Sequence, residues 1–156
     1  NLRAGQKVMI YGASGSVGTY AVQLAKYYET EVTGVCSTAN LELVKSLGAD
    51  EVIDYTREDL SQAAGTYDVV FDAVGKLSPR LGKKLLKGEG TYLSVQSSTK
   101  ENPQNLVKLG QLMDAGKLKP VIDRSYPFEQ IPDAHRYVEK GHKKGNVAIT
   151  VRDSSL

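Results

Sequence analysis

The chain has little of what most specialised sites need. Among its 156 residues it has one cysteine, no tryptophan, two phenylalanines and two histidines. A single cysteine, Cys36, excludes a disulfide framework within the chain and fits a reducing cytosol. His135 and His142 are separated by Gly141, which interrupts any shared helix, and with one distant cysteine they make a poor metal-ligand set. They read as surface residues, so no metal site is expected. Charge of one sign is also missing: 20 basic and 18 acidic residues leave a net charge of +2. That balance argues against a nucleic-acid surface. The lysines at Lys83-Lys84-Lys87 and Lys143-Lys144 read as a solvated helix face and a loop. No apolar stretch approaches the roughly 18 residues needed to span a bilayer, and no secretory leader is visible.

What remains is ordinary globular composition, 40% hydrophobic and 24% charged, enough for one well-buried domain. The most telling stretch is Val8-Met9-Ile10-Tyr11-Gly12-Ala13-Ser14-Gly15-Ser16-Val17-Gly18. A short apolar run stops at a glycine-rich turn, and an amphipathic run follows at once. Strand, tight turn and helix in that order are the context in which a glycine fingerprint signals dinucleotide binding. The spacing matches G-x-G-x-x-G with Ala13 in the first glycine's place, or G-x-x-G-x-x-G from Gly12. Small residues let backbone approach a pyrophosphate, and free N–H groups at the helix start point at its charge. Gly18 suits close packing of helix on strand.

Downstream, strands and helices alternate at short intervals. Strands are read at Val8–Tyr11, Glu31–Val35, Val52-Ile53, Tyr67–Asp72 and Thr91–Val95. Helices are read at Ser16–Tyr28, Asn40–Leu47 with Asn40 as its N-cap, Glu58–Ala64, and Pro79–Leu86 with Ser78 as cap. This pattern predicts an α/β Rossmann fold: a doubly wound, mostly parallel sheet with helices on both faces. Its ligand crevice should lie at the carboxyl ends of the strands, where chain order reverses. Beyond it are a helix over Gln104–Ala115, an extended Pro120–Asp123, a connector at Ser125–Phe128, a helix over Pro132–Lys140, a strand over Asn146–Val151 and a frayed tail. The expected division is a dinucleotide domain over 1–124 and a return segment over 125–156.

The glycine turn puts the pyrophosphate on Ser14, Gly15, Ser16 and Val17. The ribose site belongs at the end of the second strand, roughly 20 residues on. There the sequence has Val35-Cys36-Ser37-Thr38-Ala39-Asn40, without Asp or Glu. A carboxylate would hold the ribose hydroxyls of NAD and repel the extra phosphate of NADP. Its absence, with hydroxyls at Ser37 and Thr38, favours NADP(H), with NAD(H) as the alternative. Asp72-Ala73-Val74-Gly75 and Ser94-Val95-Gln96, at the ends of the fourth and fifth strands, lie along the expected crevice. Glu58-Asp59 reads as a helix start rather than a catalytic dyad. None of the nine tyrosines has a lysine four residues later, so the short-chain dehydrogenase pattern is absent.

As a set, several segments resemble the cofactor half of a medium-chain dehydrogenase/reductase, most of all its zinc-independent quinone oxidoreductase-like branch. They are Gly12–Gly18, Val32–Thr38, Leu47–Tyr55, Tyr67–Gly75, Ala115–Asp123, Ala134–Tyr137 and Gly145–Val147, in the family's order and over nearly the whole chain. The resemblance implies pyrophosphate contacts from Ser14 to Val17 and 2′-phosphate contacts from Ser37 and Thr38, with Tyr55 near the adenosine. It implies Ala73, Val74 and Val95 along the cofactor towards the nicotinamide, and Asn146 in a late cofactor-touching segment. It also implies hydride delivery from NADPH to a small-molecule quinone, enone or carbonyl. The catalytic residues are not read from the sequence.

Three departures accompany the resemblance. The family's amino-terminal substrate domain is not in this chain, which therefore reads as an excerpt of a longer protein. A Lys or Arg often found just after the second strand is replaced by Ala39 and Asn40. The connection over 97–102 is short, where relatives usually carry a sixth strand; since that edge often makes the family's dimer, a homodimer stays open. Alternatives are the cofactor domain of a zinc-dependent alcohol dehydrogenase, a non-catalytic nucleotide-binding module and, more distantly, a methyltransferase.

Overall fold

The computed structural model describes residues 2–98 and 102–151. The first strand, β1 (Lys7–Tyr11), carries β-branched or long apolar side chains on both faces. Val8 and Ile10 fall in one buried cluster and Met9 in the other, all at most 3% exposed. A strand buried on both sides must be central, and it is. The sheet has five parallel strands in the order β3 (Glu51–Asp54), β2 (Glu31–Cys36), β1, β4 (Tyr67–Asp72), β5 (Leu86–Ser94). The chain builds outward from β1 to β3, then returns to the other side of β1. The reversal leaves a crevice beyond the carboxyl ends of β1 and β4.

Helices cover both faces. Val22 and Ala25 of α1 (Ser16–Tyr27) and Val44 of α2 (Leu41–Ser46) join the cluster of Val8 and Ile10. On the other face, Leu85 of α3 (Pro79–Leu85) and Leu60 of a short 3-10 turn (Leu60–Ala63) pack with Met9, Val35 and Val70. Each fully buried side chain of this kind contributes about 1.5–3 kcal/mol. The expected doubly wound α/β fold is the observed one.

Several local expectations change. The helix expected over Glu58–Ala64 is the single 3-10 turn, with Asp59 accepting from Ser61 N–H. The fifth strand starts earlier, at Leu86, because residues 86–90 extend directly from α3. After α4 (Pro103–Asp114), the expected connector at Ser125–Phe128 lies largely in a strand, β6 (Ile122–Pro127). β6 pairs in parallel with β7 (Asn146–Thr150) across α5 (Ile131–Glu139). The boundary expected after residue 124 thus falls inside β6. Polar Asp123, Arg124 and Ser125 hid this strand, since two paired strands of a small sheet need little apolar burial. The shortened connection expected at 97–102 falls partly on residues 99–101, outside the described residues.

The approach of α1 to β1 explains Gly18. A Cβ there would lie 2.1 Å from Gly12 O and 2.8 Å from Ala13 Cα, both backbone atoms that cannot swing aside. Replacing an unconstrained helical glycine with alanine gains about 1 kcal/mol. Forced overpacking costs about 1–3 kcal/mol or more, and the collision is with rigid backbone, so it dominates. Gly18→Ala should therefore destabilise the chain in urea unfolding; a more stable variant would mean that the helix does not sit this close.

Candidate cofactor-binding cleft

The turn after β1 is shaped by glycine. Gly12 has φ +79°, and a Cβ on it would lie 2.0 Å from Val74 Cγ2. Gly12 and Ala13 N–H both donate to Val35 O at 3.0 Å, which pins the turn onto β2. Gly15 is the N-cap of α1, extended, and has no side chain to satisfy the first helical N–H groups; no acid stands in the first turn. Those donors and the positive end of the helix dipole face the crevice unneutralised.

This crevice is a cleft of about 660 Å³. Ser14, Gly15, Ser16, Val17, Ser37, Tyr55, Ala73 and Val74 line it, so eight of the eleven sequence-predicted residues meet there. The other three do not line it. The Thr38 hydroxyl is bonded to Asp54 Oδ2 and lies 3.1 Å from Thr56 Oγ1. Val95 stands beyond β5 with its N–H on Asp72 O at 3.0 Å. Asn146 turns away, its Nδ2 donating to Val121 O at 3.2 Å.

The knot that captures Thr38 explains itself electrostatically. Asp54 is buried at the end of β3 and needs donors. Thr38, Thr56 Oγ1 at 2.6 Å and Thr56 N–H at 2.9 Å supply them. The hydroxyl bonds from Thr38 and then Thr56 hold its carboxyl below the ordinary carboxylate range, ahead of the weaker pull of Arg57. Asp72, also buried, plays a similar part after β4, accepting from Val74, Gly75 and Leu77 N–H at 3.1, 2.8 and 3.0 Å. It shapes the turn that presents Ala73 and Val74. Cys36 also lines the cleft, and burial first and Asp54 second push its thiol up to about 11.

The cleft also holds Lys143 and Lys144, which the sequence reading placed on a solvated loop, and further residues that it did not assign to a site. Lys76, His142, Lys143 and Lys144 line it, with Asn40 and Tyr11. Lys143 Nζ donates to Ser16 Oγ and, at 2.7 Å, to Gly145 O. Ser16 Oγ donates to the same carbonyl at 2.9 Å, and Gly145 N–H donates to Ser14 O at 2.8 Å. The return segment is thus stitched to the glycine turn. Its loop is braced from behind by Asp123, which accepts from Tyr137 Oη at 2.6 Å and Lys144 N–H at 3.1 Å. Burial raises that carboxyl, but these two hydrogen bonds and the charges of Arg124 and Lys144 together outweigh it, and the net shift is downward. Arg124 lies 3.6 Å over the Tyr137 ring. The paired lysines next to Gly145 were the visible signal; their distance in sequence from the glycine turn hid their use.

Among the described residues the lining therefore carries three lysines and a histidine and no carboxylate. Helix N-terminus, bare Gly15 backbone and lysines together fit an extended polyanion such as a dinucleotide. Among the described residues no three His, Cys, Asp or Glu come together to hold a metal. No described helix is long and apolar enough to cross a membrane.

A fold and cleft of this kind are those of a dinucleotide-binding domain. The model of the zinc-binding dehydrogenase family matches residues 47–104 and 95–149. The chain belongs to that family, within the medium-chain dehydrogenase/reductase superfamily and on its quinone oxidoreductase-like side. It is 36% identical to an NADPH-dependent alkenal/one oxidoreductase of Arabidopsis thaliana, over 94% of this chain and 41% of the relative. It is 31% identical to the mitochondrial NAD(P)H oxidoreductase RTN4IP1 of Mus musculus, over 94% of this chain and 48% of the relative. Among solved structures it resembles a quinone oxidoreductase from Coxiella burnetii (28% identity, TM-score 0.79, 96% of this chain, 54% of that one). An NAD-dependent alcohol dehydrogenase gives 26% identity and a TM-score of 0.86 over 96% of this chain and 52% of that one. The chain thus spans about half the length of these proteins.

A Cβ on Gly15 would meet only Gly12 O, at 3.4 Å, and the backbone there is ordinary extended chain. Gly15→Asp should therefore fold, and its carboxylate even suits a helix N-cap. It would also set a negative charge where the pyrophosphate belongs. Thermal unfolding should be unchanged or higher, while dinucleotide affinity falls about a hundredfold or more, near 2.7 kcal/mol. Unchanged affinity in the folded variant would put the site elsewhere.

Proposed function

We propose that this chain is the cofactor platform of an NADPH-dependent reductase acting on a quinone, enone or carbonyl small molecule. The observation that carries this reading is the charge of the cleft, which has lysines at 76, 143 and 144 and, among the described residues, no carboxylate in its lining. NADPH carries one more phosphate than NADH, worth roughly −1.5 to −2 charge at pH 7. A cleft without acids favours the more anionic cofactor. The NADPH dependence in the name of the Arabidopsis relative supports the same choice.

Ser14, Gly15, Ser16 and Val17, with Lys143, would hold the pyrophosphate. Ser37 would meet the 2′-phosphate and Tyr55 the adenosine. Ala73 and Val74 would pass the cofactor towards its nicotinamide. Thr38, Val95 and Asn146 are left out of this assignment, since the first is held by Asp54 and the others lie off the cleft. When bound, the cofactor supplies a hydride from its nicotinamide ring. The chain's own residues bind the phosphates, aim the helix dipole and keep Cys36 protonated beneath the site. The return segment, which the sequence reading joins to a substrate domain, also walls the cofactor cleft. The shortened connection near 97–102 is part of this reading; the two family matches overlap at 95–104, which supports it.

The single buried cysteine supports a reducing compartment such as the cytosol, although the relatives are named for a chloroplast and a mitochondrion. The likeness to an NAD-dependent alcohol dehydrogenase favours a second reading, an NAD(H) enzyme of the alcohol branch.

Calorimetric titration with NADPH and NADH separates the two. NADPH should bind at least about tenfold tighter, a difference of 1.4 kcal/mol. Tighter NADH binding would select the second reading, and binding of neither would sink both. The chain alone should reduce quinones and enones poorly; robust turnover would show that its described cleft suffices for substrate.

A further inference from the structure

Asn40 reads from sequence as a helix N-cap, and the structure uses it otherwise. It stands at the start of α2, but its side chain makes no capping hydrogen bond. It turns to the cleft, where Nδ2 lies 3.2 Å from Ser14 Oγ and 3.1 Å from Ser37 Oγ. Those serines belong to different elements, the glycine turn after β1 and the loop after β2. All three residues line the cleft. The other pole of the amide, Oδ1, is closed off from solvent with no partner among the described residues. Asn40 thus forgoes the cap and leaves a buried acceptor unmet. An unsatisfied polar atom in a native site calls for a reason other than stability.

The direction of the two hydrogen bonds supplies one. A hydroxyl has one proton and two lone pairs. When it accepts from an amide N–H, its proton is free to be donated elsewhere. With Nδ2 donating to both serines, each presents an O–H to the cleft, and a hydrogen bond from O–H to an anionic oxygen is among the stronger kinds. A carboxylate at the same place would do the opposite. It would draw both protons to itself and add a negative charge beside the ligand.

Resting on the dinucleotide reading above, we propose that Asn40 is the positioning residue that sets the preference for a phosphorylated ribose. It holds the Ser37 hydroxyl as a donor towards the 2′-phosphate and the Ser14 hydroxyl as a donor towards the pyrophosphate. Ser14 serves both cofactors, because both carry the pyrophosphate. Ser37 serves selectivity, because only NADPH carries an anion on that ribose. One amide thereby compensates for the missing basic residue after β2.

The test is calorimetric titration of NADPH and NADH into the unaltered chain, Asn40→Asp, Asn40→Ala, Ser37→Ala and the Asn40→Ala/Ser37→Ala double variant. Asn40→Asp keeps the shape of the side chain and reverses its hydrogen bonding. It should weaken NADPH about tenfold more than it weakens NADH. Asn40→Ala should shift the NADPH-to-NADH ratio in the same direction by a smaller factor. In the Ser37→Ala background, Asn40→Ala should add little further loss of NADPH selectivity, since the amide acts on selectivity through that hydroxyl. A merely structural role lowers both affinities together and leaves the ratio unchanged; that result overturns the proposal. So do selectivity losses at Asn40 and Ser37 that simply add, which decides the matter even if Asn40→Asp does not fold. If the unaltered chain binds neither nucleotide, the dinucleotide reading falls and this inference with it. If it binds both and the ratio ignores Asn40, only this inference falls.

Discussion

The contact on which the rest depends is the bare approach of α1 to the turn after β1. At Gly18 no side chain separates helix from turn backbone, and at Gly12 none separates the turn from Val74. These two close packings aim the start of α1 at the space beyond β1 and β4. They also hold the turn so low that its backbone becomes the cleft floor. A helix displaced by one methyl group would point its unpaired N–H groups elsewhere. The anion-binding character of the site is a consequence of packing before it is a matter of charge.

Charge is then brought in from far along the chain. Lys143 reaches Ser16, and Gly145 binds Ser14, across more than 125 residues of sequence. What permits this is the small β6–β7 sheet. Asp123 anchors the loop between α5 and β7 through Tyr137 and Lys144, so the lysines are held by a network of their own. The two buried acids near the cleft, Asp54 and Asp72, are meanwhile occupied by hydroxyls and backbone N–H groups. Their charges are therefore spent on shaping loops, and neither belongs to a residue that lines the cleft. A positive cleft results from a chain of almost balanced charge.

Much of this was legible in the residues. The alternation of short apolar runs with amphipathic ones, and the glycine turn between the first pair, suffices for the doubly wound sheet and for a cleft lined by that turn. Ser37 follows because strand ends in such a sheet share one edge, while Tyr55 came only with the resemblance to the family. Thr38 did not follow. Its neighbour Ser37 has the same chemistry, and only the burial of Asp54 on an adjacent strand decides which hydroxyl faces the cleft. Likewise nothing local distinguishes Lys143 from a solvated lysine, and nothing local tells that Asn40 will decline its cap for two serines.

The sequence by itself determined the alternation of strands and helices, the place where the chain must turn on glycine, and hence the class of ligand. These depend on periodicity and on steric limits that act over a few residues. The tertiary structure alone decided which polar side chains meet. Hydrogen-bond and charge partners are selected by distance in space, and the side-chain partners of Ser16, Thr38 and Asp123 lie from 14 to 129 residues away in the chain. Local pattern carries no record of such pairings, so the sign of the cleft and the donors it offers became visible only once the chain was folded.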